Sequence, residues 1–372
     1  MLRRSASVGV IAVAALALAA CSQSSSSSSS SSAAATEAAS SAAATDAATD
    51  AAAAPAPFSD GPVNIALVRQ SGAGDYFTAW GAGAQKQADA AGINLTVYDA
   101  QADNAKQATD FETAINSKPA AIILDHGLGD TVKPLVAKAV AANIPVIVYD
   151  ADVAPGAGIV LTSQSDESMA ESVLGIMASD LGSGAQVGYV SAKGFAPLDR
   201  RAVVWDAAVV KNGWKVDFST GKVSASTATD TAPLVTAALQ KNPGVQGIFA
   251  AYDELAKGAL VAIQNAKLTD KVKLYGIDIS TADIELMTAE GSPWVATAAT
   301  DPYAVGAAVV RVAALQVAGQ LGKDAVQFPA AAITQADLRA KNVTNMETLR
   351  AAFPSLSLSD QVTAPWLPAV TN

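Results

Sequence analysis

From Val63 onward the chain alternates short apolar runs with longer stretches of helical period, and this alternation limits the fold more than any other feature. The runs are Val63-Asn-Ile-Ala-Leu-Val68, Asn94 to Tyr98, Ala121 to Leu124, Ile144 to Tyr149 and Ile159 to Leu161. Between them, Thr78–Ala91, Asn104–Ser117 and Thr131–Ala142 read as helices, and Gly92 supplies a C-terminal stop to the first. The runs are apolar on both faces, as in parallel strands covered by helices. Sequential βα units of this length predict a doubly wound lobe. The pattern then restarts. Helices are predicted over Asp166–Leu181, Leu198–Lys211, Thr231–Lys241, Glu254–Ala266, Thr281–Ala289 and Val305–Leu321. Strands are predicted at Ala185–Val190, from Trp214, and at Gly247–Ala250, Val272–Gly276 and Trp294–Ala298. The fold class expected is therefore α/β, with two Rossmann-like doubly wound lobes in series. About 310 residues suit two cores better than one.

What precedes the alternation places the protein. Arg3 and Arg4 are followed by an apolar run from Val8 to Ala20, then by Cys21, the only cysteine, in the string Leu18-Ala19-Ala20-Cys21. A run of about 13 residues is too short to cross a bilayer, which takes roughly 20, and its flanks fit a secretory signal. The string resembles a lipobox, in which the cysteine becomes the lipidated N-terminus, so Cys21 is the expected lipidation site and residues 1–20 the signal peptide. Acyl chains would hold the protein at about 0.8 kcal/mol per buried methylene. Residues 21–62 are Ser/Ala-rich, with a serine run at Ser24–Ser32, and cannot bury enough apolar surface to order themselves. They read as a slack tether with a span on the order of 35 Å. The expected location is extracytoplasmic, on the outer face of a bacterial cell membrane.

Much chemistry is excluded. The net charge is -10, and removing Arg3 and Arg4 leaves 22 basic against 34 acidic residues. With no basic cluster, nucleic acid is not an expected partner. His126 is the only histidine, which leaves one possible imidazole for a triad and matches no zinc pattern. No phosphate-cradling loop is present, Gly72-Ala-Gly74 being followed by Asp75. Acidic pairs such as Asp150/Asp152 and Asp253/Glu254 could in principle serve a hydrolase, but at loop edges they usually cap helices or face solvent. The expectation is a non-enzyme with no cofactor and no metal.

In open α/β sheets ligands lie beyond the carboxyl ends of the strands. Those ends carry Gln70, Ser71, Asp75, Tyr76 and Phe77, then Asp125 and His126, then Asp150, then Ser163 near a lobe crossover. In the second half they carry Tyr252, Asp278 and, after the last strand, Thr300 and Asp301. Carboxylates that accept from neighbouring hydroxyls, beside aromatic faces that cover C–H surface, suit a polyhydroxylated ligand. Each aspartate alone could be only a helix cap. Trp80, Trp205 and Trp214 are expected in the core, and Trp294 could serve either packing or ligand.

The series Val63–Val68 with Tyr76-Phe77, Gly83–Asp89, Asp99–Gln107, Ile144–Asp150, Ile248–Glu254 with Gly258-Ala-Leu260, and Tyr275–Asp278 resembles the type I periplasmic binding proteins of the ribose/galactose-binding cluster, the receptors of sugar ABC transporters. The resemblance runs from about Val63 to Gln335. It implies a three-segment hinge, with residues 63–163 and 300–328 forming the N-terminal lobe and residues 164–299 and 329–372 the C-terminal lobe and tail. It implies ring stacking by Tyr76 and Phe77, and hydroxyl binding by Asp125, Asp150 and Asp278. It also implies a polar contact from Thr300 or Asp301, and a ligand-binding arginine near Trp205. The local string there is Asp199-Arg200-Arg201, so either Arg200 shifts in or Asp199 replaces it; Ala151 stands where an arginine is usual. A site richer in carboxylate and poorer in arginine than a ribose site leaves another aldose, a polyol or a cationic ligand open. The implied partners are a sugar or polyol and an ABC permease with its ATPase, the protein acting as a monomer. A sensory receptor for a small polar ligand is the alternative; the secretion signal and lack of DNA-binding helices argue against a repressor.

Overall fold

A computed structural model describes residues 52–371; the expected signal peptide, Cys21 and most of the tether lie outside the described residues. The first sheet is built from β1 (Val63–Arg69), β2 (Ile93–Asp99), β3 (Ala121–Asp125), β4 (Val146–Tyr149), β5 (Ile159–Gln164) and β11 (Ala325–Phe328). Its order is β11-β5-β4-β3-β1-β2, and every pair is parallel. The second contains β6 (Gln186–Val190), β7 (Lys215–Thr220), β8 (Gly247–Ala250), β9 (Lys273–Tyr275), β10 (Trp294–Ala299) and β12 (Ala331–Thr334). Its order is β12-β10-β9-β8-β6-β7, with β12 alone antiparallel. The central strands β3, β4 and β8 are buried along their whole length, as a sheet covered on both faces requires.

Helices α1 (Asp75–Ala90), α2 (Asn104–Asn116), α3 (Gly129–Ala141) and α9 (Pro302–Val317) belong with the first sheet. Helices α4 (Asp166–Leu181), α5 (Ala196–Asn212), α6 (Thr227–Lys241), α7 (Asp253–Asn265) and α8 (Thr281–Thr288) belong with the second. The chain crosses between lobes after β5, after β10 and between β11 and β12. These last two short strands were not anticipated, because four residues beside Gly and Pro give no periodic signal.

The C-terminal segment departs from the expectation that it belongs wholly to the second lobe. Helices α10 (Gln335–Ala340) and α11 (Met346–Ala352) do pack there, with Leu338, Leu349 and Leu356 in its core. Leu358, however, adopts φ 50°, and from it the chain returns to the first lobe, where Leu358 and Leu367 enter the core. Buried Arg311 of α9 fixes this fourth passage by donating to the Leu358 and Gln361 carbonyls.

Two glycines set how closely the first lobe's helices approach. A Cβ at Gly83 would lie 1.9 Å from the Tyr303 carbonyl oxygen, and one at Gly306 would lie 2.0 Å from that of Trp80. Helices α1 and α9 therefore touch backbone to backbone, and neither carbonyl can yield. Gly306→Ala is expected to cost about 3 kcal/mol or more, since overpacking a filled core typically costs 1–3. The check is a denaturant melt, where an unchanged midpoint would contradict the close contact. In the second lobe Tyr189, Trp205 and Phe249 stack at 4.8–5.8 Å, and Trp214 packs on Trp205. Trp294, fully buried against Gly276, is a packing residue.

Candidate functional site

The carboxyl ends of both sheets face one cleft. Three of the strand-end residues there are non-glycines in the left-handed region: His126 after β3 (φ 60°), Asp150 after β4 (φ 48°) and Asp278 after β9 (φ 72°). Asp and His tolerate that region better than most residues, and strained backbone collects at functional sites. After β3 and β9 the turn leads into α3 and α8, and His126 and Asp278 line the cleft.

The cleft is lined from the first lobe by Gln70, Ser71, Ala73, Gly74, Tyr76, Phe77 and His126, and from the crossover by Gln164. The second lobe supplies Phe195, Pro197, Leu198, Arg201, Val223, Ser224, Ala225, Thr227, Tyr252, Glu254 and Asp278. Of the residues singled out in the sequence, Gln70, Ser71, Tyr76, Phe77, His126, Tyr252 and Asp278 come together here. Phe77 lies edge-on to His126 at 5.1 Å and to Tyr76 at 5.5 Å. The Tyr76 and Tyr149 hydroxyls share a hydrogen bond, and burial pushes both phenols well up.

Asp278 is the central feature. Its side chain is buried, its Oδ2 lies 3.6 Å from Arg201, and its Oδ1 has no hydrogen-bond partner. Burial raises its pKa to about 6, against the opposing pull of Arg201. A buried carboxylate oxygen without a donor, on a residue that lines the cleft, is costly unless something arrives to donate.

Other expected residues stand outside the lining, for identifiable reasons. Asp125 is buried behind His126: Arg69 Nε donates to it at 2.7 Å, and His126 Nδ1 lies 2.7 Å away. Burial would push its carboxyl up, but Arg69 and His126 together hold it below its ordinary value. Asp125 thus orients the imidazole and leaves Nε2 as the ring's available polar atom. Asp150 is bound by Arg200 from the opposite lobe and by the Gln164 amide at 3.4 Å, so its oxygens are occupied. Arg200 is held between Asp150 and Asp166 and does not line the cleft. The arginine that does is Arg201, which was missed; it donates to Asp166 at 2.9 Å and to the Ala251 carbonyl at 2.6 Å. Asp199 caps the Gly194 amide. Ser163 points away, because alternation along β5 turns the adjacent Gln164 inward. Thr300 donates to Gln164 Oε1 at 2.7 Å and so acts behind the lining. Asp301 accepts from the Tyr303 amide as the N-cap of α9 and pairs with Arg350.

Asp75 also departs from its expected place. It reaches across the cleft mouth to Lys257 at 2.7 Å and to Ser280 at 3.3 Å, both on the other lobe. Lys257 additionally lies 2.8 Å from Glu254, 3.5 Å from Asp283 and 3.6 Å from Asp253. With Arg200–Asp150 and a backbone bridge between Leu128 and Phe195, this contact holds the lobes in a closed arrangement. Among the described residues no group of acidic, histidine or cysteine side chains is placed to hold a metal ion.

Two doubly wound lobes, closed over a cleft at their strand ends, define a ligand-capturing protein of the two-lobe type. The periplasmic binding protein domain matches residues 65–321, and the chain belongs to that family. The ribose import binding protein of Salmonella typhimurium is 31% identical over 253 residues, covering 67% of this chain and 83% of that protein. The fructose import binding protein of Bifidobacterium longum is 30% identical over 234 residues, covering 59% and 69%. Among solved structures, the 5-methylthioribose transporter solute binding protein of Thermotoga lettingae, in complex with 5-methylthioribose, is 36% identical with a TM-score of 0.80, covering 84% of this chain and 98% of that one. A sugar ABC transporter protein of Yersinia enterocolitica is 31% identical with a TM-score of 0.79, covering 82% and 93%. No described helix is long and apolar enough to cross a membrane.

Proposed function

We propose that this protein captures a small sugar or polyol in the cleft and delivers it to an ABC transporter permease and its ATPase. The observation that carries the reading is the unpartnered, buried Asp278 Oδ1 in a cavity walled by Tyr76 and Phe77. Neighbouring hydroxyls can donate to such a carboxylate while the rings cover C–H surface. The ribose, fructose and 5-methylthioribose in the names of the relatives are all of this chemical kind. Arg201, Gln164 and His126 Nε2 supply further polar contacts. A ligand touching both lobes favours the closed state and shifts the open–closed population. The protein works as a monomer and without turnover, so a sugar incubated with it is recovered unchanged. A calorimetric screen of aldoses, ketoses and polyols tests the reading; no binding by any of them would end it.

The lipid anchor belongs to the same proposal. Cys21 is acylated, and the segment to about residue 62 tethers the lobes near the permease. Cys21→Ser is expected to move the protein from the detergent phase to the aqueous phase in a Triton X-114 partition. Retention of the variant in the detergent phase would contradict anchoring at Cys21.

A further inference from the structure

The cleft is not uniform along its length. In the second sheet the order β12-β10-β9-β8-β6-β7 puts the β9 end, and with it Asp278, toward the hinge strands, and the β6 and β7 ends at the far side. The first sheet runs in the same sense, with β5 and Gln164 at the hinge side and β1 and β2 at the other. The hinge end therefore holds Asp278, Arg201 and Gln164, while the loops after β6 and β7 bring Phe195, Val223 and Ala225 to the distal end.

Most of the polar side chains at that distal end are already used within the protein, the Gln70 amide after β1 being the open exception. Tyr252 donates its hydroxyl to Thr227 at 2.8 Å, and so presents its ring. Thr227 donates to the Ser224 carbonyl at 2.8 Å, and Ser224 donates to Asp230 at 2.9 Å. Ser71 Oγ accepts from the Ala73 amide at 3.1 Å, and Glu254 is turned to Lys257. A hydroxyl placed there would give up water and meet few open partners, which costs affinity. An alkyl group placed there gains the burial of its surface.

We propose that the ligand is a pentose-sized polyol carrying one apolar substituent, with its hydroxyls at the Asp278 end and the substituent against Phe195, Val223 and Ala225. This rests on the sugar reading above and narrows it. The chain then belongs to the salvage of capped sugars rather than of bulk pentose. Its ligand is the product of a reaction class that detaches a terminally alkylated sugar from a larger molecule.

The test is calorimetry on the purified protein with ribose, 5-O-methylribose and 5-O-propylribose, repeated on Val223→Asp. The expected result is tighter binding along that series, by about fourfold per buried methylene. Val223→Asp should flatten the series, so that the two ethers lose the advantage over ribose that they have in the unaltered protein. Ribose binding as tightly as its ethers, or Val223→Asp weakening all three equally, would overturn the apolar-end proposal and leave sugar capture standing. Failure of all three, together with every sugar in the wider screen, would overturn sugar capture itself.

Discussion

Asp278→Ala is expected to weaken sugar binding by about 100-fold or more while making the empty protein more heat-stable at pH 8. The two effects share one cause. Hydrogen bonds to a charged group are worth roughly 1.5–3 kcal/mol each, so losing two hydroxyl contacts to the Asp278 carboxylate removes at least two decades of affinity. In the empty cleft the same carboxylate is buried, with Oδ1 unpartnered and its pKa raised to about 6. At pH 8 the folded state therefore carries an ionised group it disfavours, and alanine relieves it. Calorimetry and a thermal melt check the two halves. Binding within threefold of the unaltered protein would remove Asp278 from the site, and a lower melting temperature would show that its contact with Arg201 outweighs its burial.

The second large effect is on pH. Burial raises Asp150 to about 7, Asp278 to about 6 and Asp283 to about 7, and raises Asp253 well above the ordinary carboxylate range. Each folded value lies above the unfolded one, so the folded protein binds extra protons. The stabilisation is complete below about pH 4 and is lost as pH rises through about 6 to 7. A shift of three units is worth about 4 kcal/mol at one site. Asp253 and Asp283 sit around the same lysine, so their protons leave in shared steps and the total is smaller than the sum. Asp125, lowered instead, gives stability that fails only in stronger acid. The melting temperature of the empty protein is thus expected to fall between pH 5 and pH 8. Ligand affinity should run the other way and rise through about pH 6, because hydroxyls donate to the ionised Asp278. Asp283→Asn should flatten the stability slope and leave the affinity profile unchanged, since Asp283 does not line the cleft. A melting temperature that climbs with pH would refute the burial argument.

The helices and main strands were readable because helical periodicity and continuous apolar runs survive in a single chain, and Trp80, Trp205 and Trp214 were readable as core by their helical or strand-start positions. The site was readable only to the level of strand ends. Ser163 and Gln164 are not told apart by sequence, which does not say which face of β5 meets the cleft. Sequence leaves Arg200 or Asp199 as the candidate, because one helical step, 100°, separates an arginine that bridges Asp150 and Asp166 from Arg201, which lines the cavity. Asp125 and Asp75 have the chemistry of ligand contacts, but Arg69 and Lys257 claim them, and those partners lie 56 and 182 residues away in the chain. The apolar end of the cleft left no motif, because Phe195, Val223 and Ala225 come from loops whose meeting depends on strand order.

The return of the C-terminal segment to the first lobe has a mechanical consequence. Phe58, near the start of the described chain, packs on Trp366, near its end, at 5.0 Å, and Gln87 of α1 donates to the Pro368 carbonyl. Whatever is attached beside Phe58 or beside Trp366, be it a chip surface or a dye, grips the same lobe. The stationary half is then fixed by the chain's own layout, and the lobe carrying Asp278 and Val223 is the one that swings. A reporter built on this protein would place its second dye there, because a pair placed beside Phe58 and Trp366 would ride together and register nothing.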